Sequence, residues 1–372
     1  MKVLWITGRY FGIDLCQTTQ IELASALNRC CHEISFLAPT NEYGISLIQQ
    51  EGLKIHPVKI TKIKGLKSFS FDRQVKKLLP QIIEKNNIEI AICSWRGIMG
   101  AAKALKSANI PWFLIDRGPP VDSGILSKLQ WKYYDRAFKK YASSAEKVFT
   151  VSDIHANFVQ SRFSLENKPL VISAGVRPEK FELAHIKKFE TPGLIYHGSL
   201  DSFRNVLILV DVGELLVKRN VKFKMTLVGE GNLFNKLVKL SETREWLDVI
   251  PKVSRDRIVE ILLMNHIGML PMNKEMGEKF FSSPLKMYEY GASELAMVGV
   301  EHSGHRLEKG LAFQRLVPEE EMVQKMALEI EKLLSEDLGK IGKLAKKYIL
   351  ENYSWDHSAR IVNIAIEGLN SK

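Results

Sequence analysis

The chain carries the stretch Ser283-Pro284-Leu285-Lys286-Met287-Tyr288-Glu289-Tyr290 shortly after the apolar run 266–271. The run reads as a strand, and the stretch reads as the helix that follows it. Pro284 suits the first turn of that helix, and Ser282 or Ser283 can cap it. The unpaired N–H groups of such a turn form a ready site for an anion, and Lys286 adds a positive charge beside them. Glu289 lies one turn further along the same helix face. It repels phosphate but can accept hydrogen bonds from hydroxyls. An anion cradle with a carboxylate one turn away has the chemistry required to hold a nucleotide diphosphate and its ribose.

Outward from this stretch, strands and helices alternate along the whole chain. In the first half the apolar runs 3–7, 33–38, 54–58, 88–93, 112–115, 148–151 and 170–172 read as strands. Helices are expected at 18–28, 75–85, 100–108 and 124–141. A charged segment, 179–192, reads as a linker. A second series follows, with strands at 193–197, 224–228, 247–250, 267–271 and 297–300. Its helices are expected at 205–219, 233–240, 256–263, 284–293, 319–336 and 338–352. Such alternation indicates parallel sheets with right-handed crossovers. The expected fold is α/β, with two doubly wound Rossmann-like domains and a cleft between them. Residues 1–178 form the first domain, with a last helix, 356–372, packing back on it, and residues 179–355 form the second. Ligands in such sheets sit at the carboxyl ends of the strands.

A length of 372 residues is enough for two cores. Residues 1–15 read as a strand and turn holding Arg9 and Asp14 rather than as a signal peptide. No run approaches the roughly 20 apolar residues that span a bilayer. Cys16, Cys30, Cys31 and Cys93 form neither a C-x-x-C pair nor a metal-ligand pattern, as expected of free thiols in a reducing cytoplasm. The net charge of +11 is uneven. Residues 1–178 hold 25 Lys+Arg against 14 Asp+Glu, and the remainder balances at 28 of each. Much of the excess lies in 54–77 and 124–141. The latter mixes Lys128, Lys132, Arg136, Lys139 and Lys140 with Trp131, Tyr133, Tyr134 and Phe138. It reads either as a packed helix with solvated lysines or as a contact to an anionic membrane surface. No nucleic-acid-binding motif accompanies the charge.

Several motifs share one order. Val148-Phe149-Thr150-Val151-Ser152 comes first, then Ser173-Ala174-Gly175-Val176 with Phe181. Tyr196-His197-Gly198-Ser199-Leu200 with Arg204-Asn205 follows, then Leu227-Val228-Gly229-Glu230-Gly231, the opening stretch, and Tyr353-Ser354-Trp355. In this order and spacing the second half resembles the donor domain of family 4 glycosyltransferases, which have the GT-B fold. The likeness covers most of residues 145–357 and the first half more loosely. The resemblance implies that a nucleotide sugar binds at Gly198, Ser199, Arg204, Gly229, Glu230, Val253, Ser283, Pro284, Leu285, Lys286 and Glu289. Glu289 would hold the ribose, and Lys286 and Arg204 the diphosphate. Val253 belongs to the segment 250–254 expected to meet the base. Arg204, Lys286 and Asp116 are the expected catalytic residues, with Gly8, Gly12 and Arg117 on the acceptor side. The chain departs from the family at Ser199, where an arginine is usual, and at Phe281, where a second carboxylate would stand.

The sequence contains no Asp-x-Asp, and His302 and His305 lack a third ligand nearby. No metal and no cofactor beyond the nucleotide sugar is therefore expected, and the diphosphate is expected to be neutralised by Arg204, Lys286 and a helix N-terminus. The expected activity is retaining transfer of a hexose-type sugar to a glycan or a lipid-linked acceptor, in the cytoplasm at the membrane face. Two alternatives stay open. One is a nucleotide-sugar epimerase of the same fold, and the other is a catalytically silent relative that binds nucleotide sugar.

Overall fold

In a computed structural model, the structure describes residues 1–13, 17–63, 65–120, 125–183, 185–279 and 285–370. The chain divides into two units, Met1–Ser173 with Trp355–Lys372, and Ala174–Ser354. The first unit runs β1 (Lys2–Ile6), α1 (Gln17–Arg29), β2 (Glu33–Ala38), α2 (Glu42–Gln50), β3 (Lys54–Pro57), α3 (Lys67–Asn86) and β4 (Ile90–Ser94). It continues with α4 (Ile98–Ser107), β5 (Trp112–Ile115), α5 (Ile125–Tyr141), β6 (Lys147–Thr150), α6 (Asp153–Phe163) and β7 (Leu170–Val171). The second runs β8 (Gly193–His197), α7 (Ile208–Lys218), β9 (Lys224–Val228), α8 (Phe234–Ser241), β10 (Leu247–Ile250), α9 (Arg255–Met264) and β11 (Ile267–Leu270). Then come α10 (Lys274–Lys279), α11 (Leu285–Ala292), β12 (Ala296–Val300), β13 (Gln314–Val317), α12 (Met322–Ser335) and α13 (Leu338–Asn352). The last helix, α14 (Trp355–Asn370), belongs to the first unit.

Both sheets are parallel. The first has the order β3-β2-β1-β4-β5-β6-β7 and the second β10-β9-β8-β11-β12-β13. Each order reverses once, between β1 and β4 and between β8 and β11, leaving a crevice at the carboxyl ends of those strands. The central strands are apolar on both faces because helices cover both. Residues 3–6 of β1 and 267–270 of β11 are all buried. These sheets and their order are the expected GT-B architecture of two Rossmann-like domains.

Helices α2 and α6, the short α10, and strand β13 escape the apolar pattern. Gly44 breaks the stripe of α2, whose start is fixed instead by Asn41 Oδ1 accepting from Gly44 N–H at 2.8 Å. In α6 the buried face is only His155, Ala156 and Val159, and Ser152 Oγ caps it by accepting from His155 N–H at 3.2 Å. The polar start of β13, Gln314-Arg315, hides a strand that pairs with β12. Helix α5 packs one face of the basic and aromatic stretch inward. Tyr134 and Phe138 are fully buried among Trp95 and Phe163, so the aromatic face is core and the lysines face water.

Helix α14 seats on α1. Arg29 pairs with Asp356 at 2.6 Å, His32 Nε2 lies 2.6 Å from Asn363 Oδ1, and Ser358 Oγ donates to Ser173 O at 2.8 Å. Trp355 is buried at its start.

Candidate functional site

In the second unit the loops that follow β8, β9 and β10 meet α11 at the reversal of strand order. Tyr290 pins this helix. Its side chain is fully buried, its hydroxyl donates to Met269 O of β11 at 3.3 Å, and it accepts from His197 N–H of β8 at 3.4 Å. One tyrosine thus ties α11 to both strands that border the crevice. A Cβ on Gly268 would lie 2.3 Å from the Tyr290 ring, so the strand can pass only because that residue is glycine.

With α11 held there, Lys286 extends over the Tyr196 ring, its Nζ 3.9 Å from the centroid. Gly198 makes room beside it, because a Cβ there would lie 3.3 Å from Lys286 Nζ. Burial pushes the Lys286 amine well below its ordinary pKa. The charge of Arg204 adds to this and that of Glu289 opposes it. Arg204 sits just ahead of α7, its guanidinium over Phe203 and its Nη1 donating to Met272 Sδ at 3.2 Å.

Glu289 is buried one turn along from Lys286. Its Oε2 lies 3.2 Å from His197 Nε2, and its Oε1 lies 3.7 Å from Arg255 Nη2 at the start of α9. Burial lowers the His197 pKa to about 3, helped by the charges of Lys286 and Arg255. His197 is therefore a neutral neighbour of the carboxylate at pH 7, and Arg255 is a charged one. Arg255 is the site residue that sequence reasoning missed, while Tyr196 and His197 stand in the motif that ends β8 but carry no expected role there. Arg255 reaches α11 from the start of α9, and no local spacing announces it.

The structure brings Gly198, Gly229, Arg204, Lys286 and Glu289 to one end of the sheet. Gly198 N–H donates to Val228 O at 2.9 Å, and Gly229 N–H to Ile250 O at 2.9 Å. Ser199 Oγ bonds Asp201, which also accepts from Asn232 N–H at 2.8 Å, so this serine shapes the turn. Leu285 opens the described part of α11, while Ser283, Pro284 and Phe281 lie outside the described residues. Val253 lies in the loop between β10 and α9. Glu230 turns to the surface, where it pairs with Lys252 at 3.0 Å.

In the first unit, Gly8 and Arg117 line a pocket at the carboxyl ends of β1, β4 and β5. Gly12 lies apart from it, packed on Asn41 and Gly44. Asp116, expected to be catalytic, is fully buried. Its Oδ2 accepts from the Tyr134 hydroxyl at 2.5 Å and lies 3.0 Å from His155 Nε2, and its Oδ1 accepts from Gly118 N–H at 3.0 Å. Burial raises its pKa, but His155, Tyr134 and Gly118 together outweigh burial and leave it lowered. The carboxylate therefore organises the end of β5 instead of reaching a reactant. Its partners come from α5 and α6, which the sequence does not place beside it.

Residues 191–336 match the family model described as "Glycosyl transferases group 1". No curated protein matches the chain in sequence. Among solved structures, the glycosyltransferase from Rickettsia africae ESF-5 is 16% identical with a TM-score of 0.77, over 100% of this chain and 99% of that one. Sucrose-phosphate synthase from Thermosynechococcus elongatus is 12% identical with a TM-score of 0.75, over 100% and 99%. Anabaena Alr3699/HepE in complex with UDP is 13% identical with a TM-score of 0.74, over the full length of both chains.

A histidine pair in the second unit also predicts a response to acid. The rings of His302 and His305 lie 3.7 Å apart near the site, both buried. Burial lowers His302 to about 4 and, with the charge of His302, takes His305 well below its ordinary range. A histidine with a folded pKa below its unfolded value, about 6.5, contributes its full stability above pH 6.5. That contribution fades as pH falls toward the folded value. His302 alone accounts for roughly 3 kcal/mol at about 1.4 kcal/mol per unit. Thermal unfolding should therefore move steeply downward between pH 6.5 and 4. In His302→Asn the slope should be shallower, and an unchanged slope would remove the histidine from the explanation.

Proposed function

We propose that this enzyme is a retaining glycosyltransferase that moves a hexose-type sugar from a nucleotide-diphosphate sugar to a glycan or glycolipid acceptor. Its setting would be the synthesis of a cell-surface polysaccharide or glycoconjugate. The observation that carries the reading is the placement of Lys286 and Glu289, one helical turn apart, at the glycine-bordered end of β8 beside Arg204. Lys286 and Arg204 face the diphosphate in this reading, and Glu289 accepts the ribose hydroxyls. The bond from the sugar C1 to the diphosphate oxygen breaks and its electron pair leaves with the diphosphate. The acceptor oxygen bonds C1, and its proton passes to the departing phosphate. The protein's part is to position the reactants and to stabilise the growing charge. The segment that includes Val253 meets the base.

No described helix is long and apolar enough to cross a membrane. We place the enzyme at the cytoplasmic membrane face, held by the solvated lysines of the basic first unit against anionic lipid.

Calorimetric titration with UDP, GDP, ADP and dTDP tests the donor site. UDP comes first because Anabaena HepE is seen with UDP and with UDP-glucose. One nucleotide should bind in the micromolar range, and Glu289→Ala should weaken it about tenfold or more, a change of roughly 1.4 kcal/mol. No binding by any of the four would sink the assignment.

A further inference from the structure

A second groove of the first unit lies at the amino end of its sheet, opposite the crevice. It runs between the C-terminal ends of α4 and α5 and over the start of β5, and its volume is about 740 Å³. That size is in the range of clefts that bury a ligand.

The floor of the groove is apolar. Ile110, Pro111 and Tyr141 are half-buried there beside Trp112, which is 7% exposed. Apolar area of this kind gains when a partner takes it out of water.

The rim is basic. Lys103 and Lys106 of α4 and Lys140 of α5 are all exposed, and none of the three is paired with a carboxylate among the described residues. Lys103 and Lys106 are three positions apart and share one face of α4. A cation in the last turn of a helix offsets the macrodipole, which accounts for Lys106 and Lys140. It does not account for Lys103, nor for an apolar floor set between the cations. Glu146 belongs to the same lining and opposes an anion there.

This combination selects among occupants. A small anion would leave the floor wet. A flat bilayer cannot follow a groove down to its floor. A nucleic-acid base needs an open ring face, whereas Trp112 is nearly all buried and Lys140 Nζ stands 5.3 Å from the Tyr141 centroid. A peptide presents carboxylates and apolar side chains at residue spacing, which meets both the rim and the floor.

We propose that this groove docks an acidic segment of a partner protein. Its carboxylates meet Lys103, Lys106 and Lys140, and its apolar side chains cover Ile110, Pro111 and Tyr141. The crevice at the carboxyl ends of the same sheet stays open when the groove is filled. Docking of this kind is independent of the transfer chemistry proposed above.

The test is fluorescence anisotropy of the full chain with three pools of short labelled peptides. One pool mixes Glu and Asp with Leu and Phe, one has Lys in place of the acids, and one has Ser in place of Leu and Phe. The acidic apolar pool should bind at least about tenfold more tightly than either control, and more weakly as salt rises. Lys103→Glu and Lys140→Glu should each weaken it about threefold to tenfold, the scale of an exposed ion pair lost and reversed. Glu146→Gln should tighten it about threefold, a direction that mere damage to the surface does not give. Thermal unfolding of these variants should match the parent, because all three side chains are exposed. Equal binding of the acidic apolar pool and its Ser counterpart overturns the proposal, since the floor would then play no part. No binding of the acidic apolar pool overturns it, and so does binding that both lysine variants leave at the parent value. Co-sedimentation with phosphatidylglycerol vesicles examines the other occupant. Vesicle binding that is lost in the lysine variants, with no peptide bound, assigns these lysines to lipid and overturns the proposal as well.

Discussion

Lys286→Met should lower the transfer rate roughly 10²–10³-fold, the scale of removing one preorganised group that stabilises transition-state charge. Methionine keeps an apolar stem over Tyr196, so the change removes charge with little change of packing. The free site holds the amine in a setting that disfavours its charge, through burial first and Arg204 second. A diphosphate arriving there reverses the balance and raises the Lys286 pKa. Above the depressed pKa of the free protein, nucleotide binding must then take up a proton. Affinity should fall as pH rises through that window. Calorimetry in two buffers of different ionisation enthalpy reads the uptake directly. The uptake should vanish in Lys286→Met, and its persistence would assign the proton to another group. Lys286→Arg should be a poor conservative change, because a planar fork does not fit the space between the Tyr196 ring and Gly198.

The parts of this site that were legible in the sequence are those fixed by local spacing. Lys286 and Glu289 lie three residues apart, so any helix through them puts both on one face. Gly198 and Gly229 end short apolar runs, and a parallel sheet brings such ends together. The strands themselves were legible because burial on both faces leaves continuous apolar runs. What was not legible depends on chain segments far apart. Arg255 reaches Glu289 across 34 positions and His197 across 92. Asp116 is expected to be catalytic from the resemblance alone, and only the arrival of Tyr134 and His155 encloses it. Lys103 and Lys140 stand on different helices, and they share a groove because α4 and α5 pack together. Helix α6 shows the same limit at the level of elements. It is held by a serine cap and by packing of three residues, with no apolar stripe to announce it.

Gly229→Ala should abolish nucleotide binding and destabilise the second unit by more than about 3 kcal/mol, in the range that backbone clashes with no relief can produce. Gly229 has φ +154°, a conformation that L side chains rarely adopt, and an added Cβ would stand 1.8 Å from Gly198 O. The obstacle is backbone, so no rotamer change relieves it. Gly198 cannot simply withdraw, because its N–H is bonded to Val228 O and its own φ is +124°. Moving it would also disturb Lys286, whose Nζ lies 3.3 Å from where a Gly198 Cβ would be. The strain therefore passes from the β9 loop to the proposed phosphate-binding lysine through a single peptide. Gly368→Ala is the matched control. It lies in α14 with nothing within 4 Å of the added Cβ, and it should leave stability unchanged or raise it by about 0.5–1 kcal/mol through helix propensity. Thermal unfolding and UDP titration of both variants read the contrast. A Gly229→Ala protein that binds UDP like the parent would falsify the close approach of the two glycine loops, and with it the route by which the strand ends position Lys286.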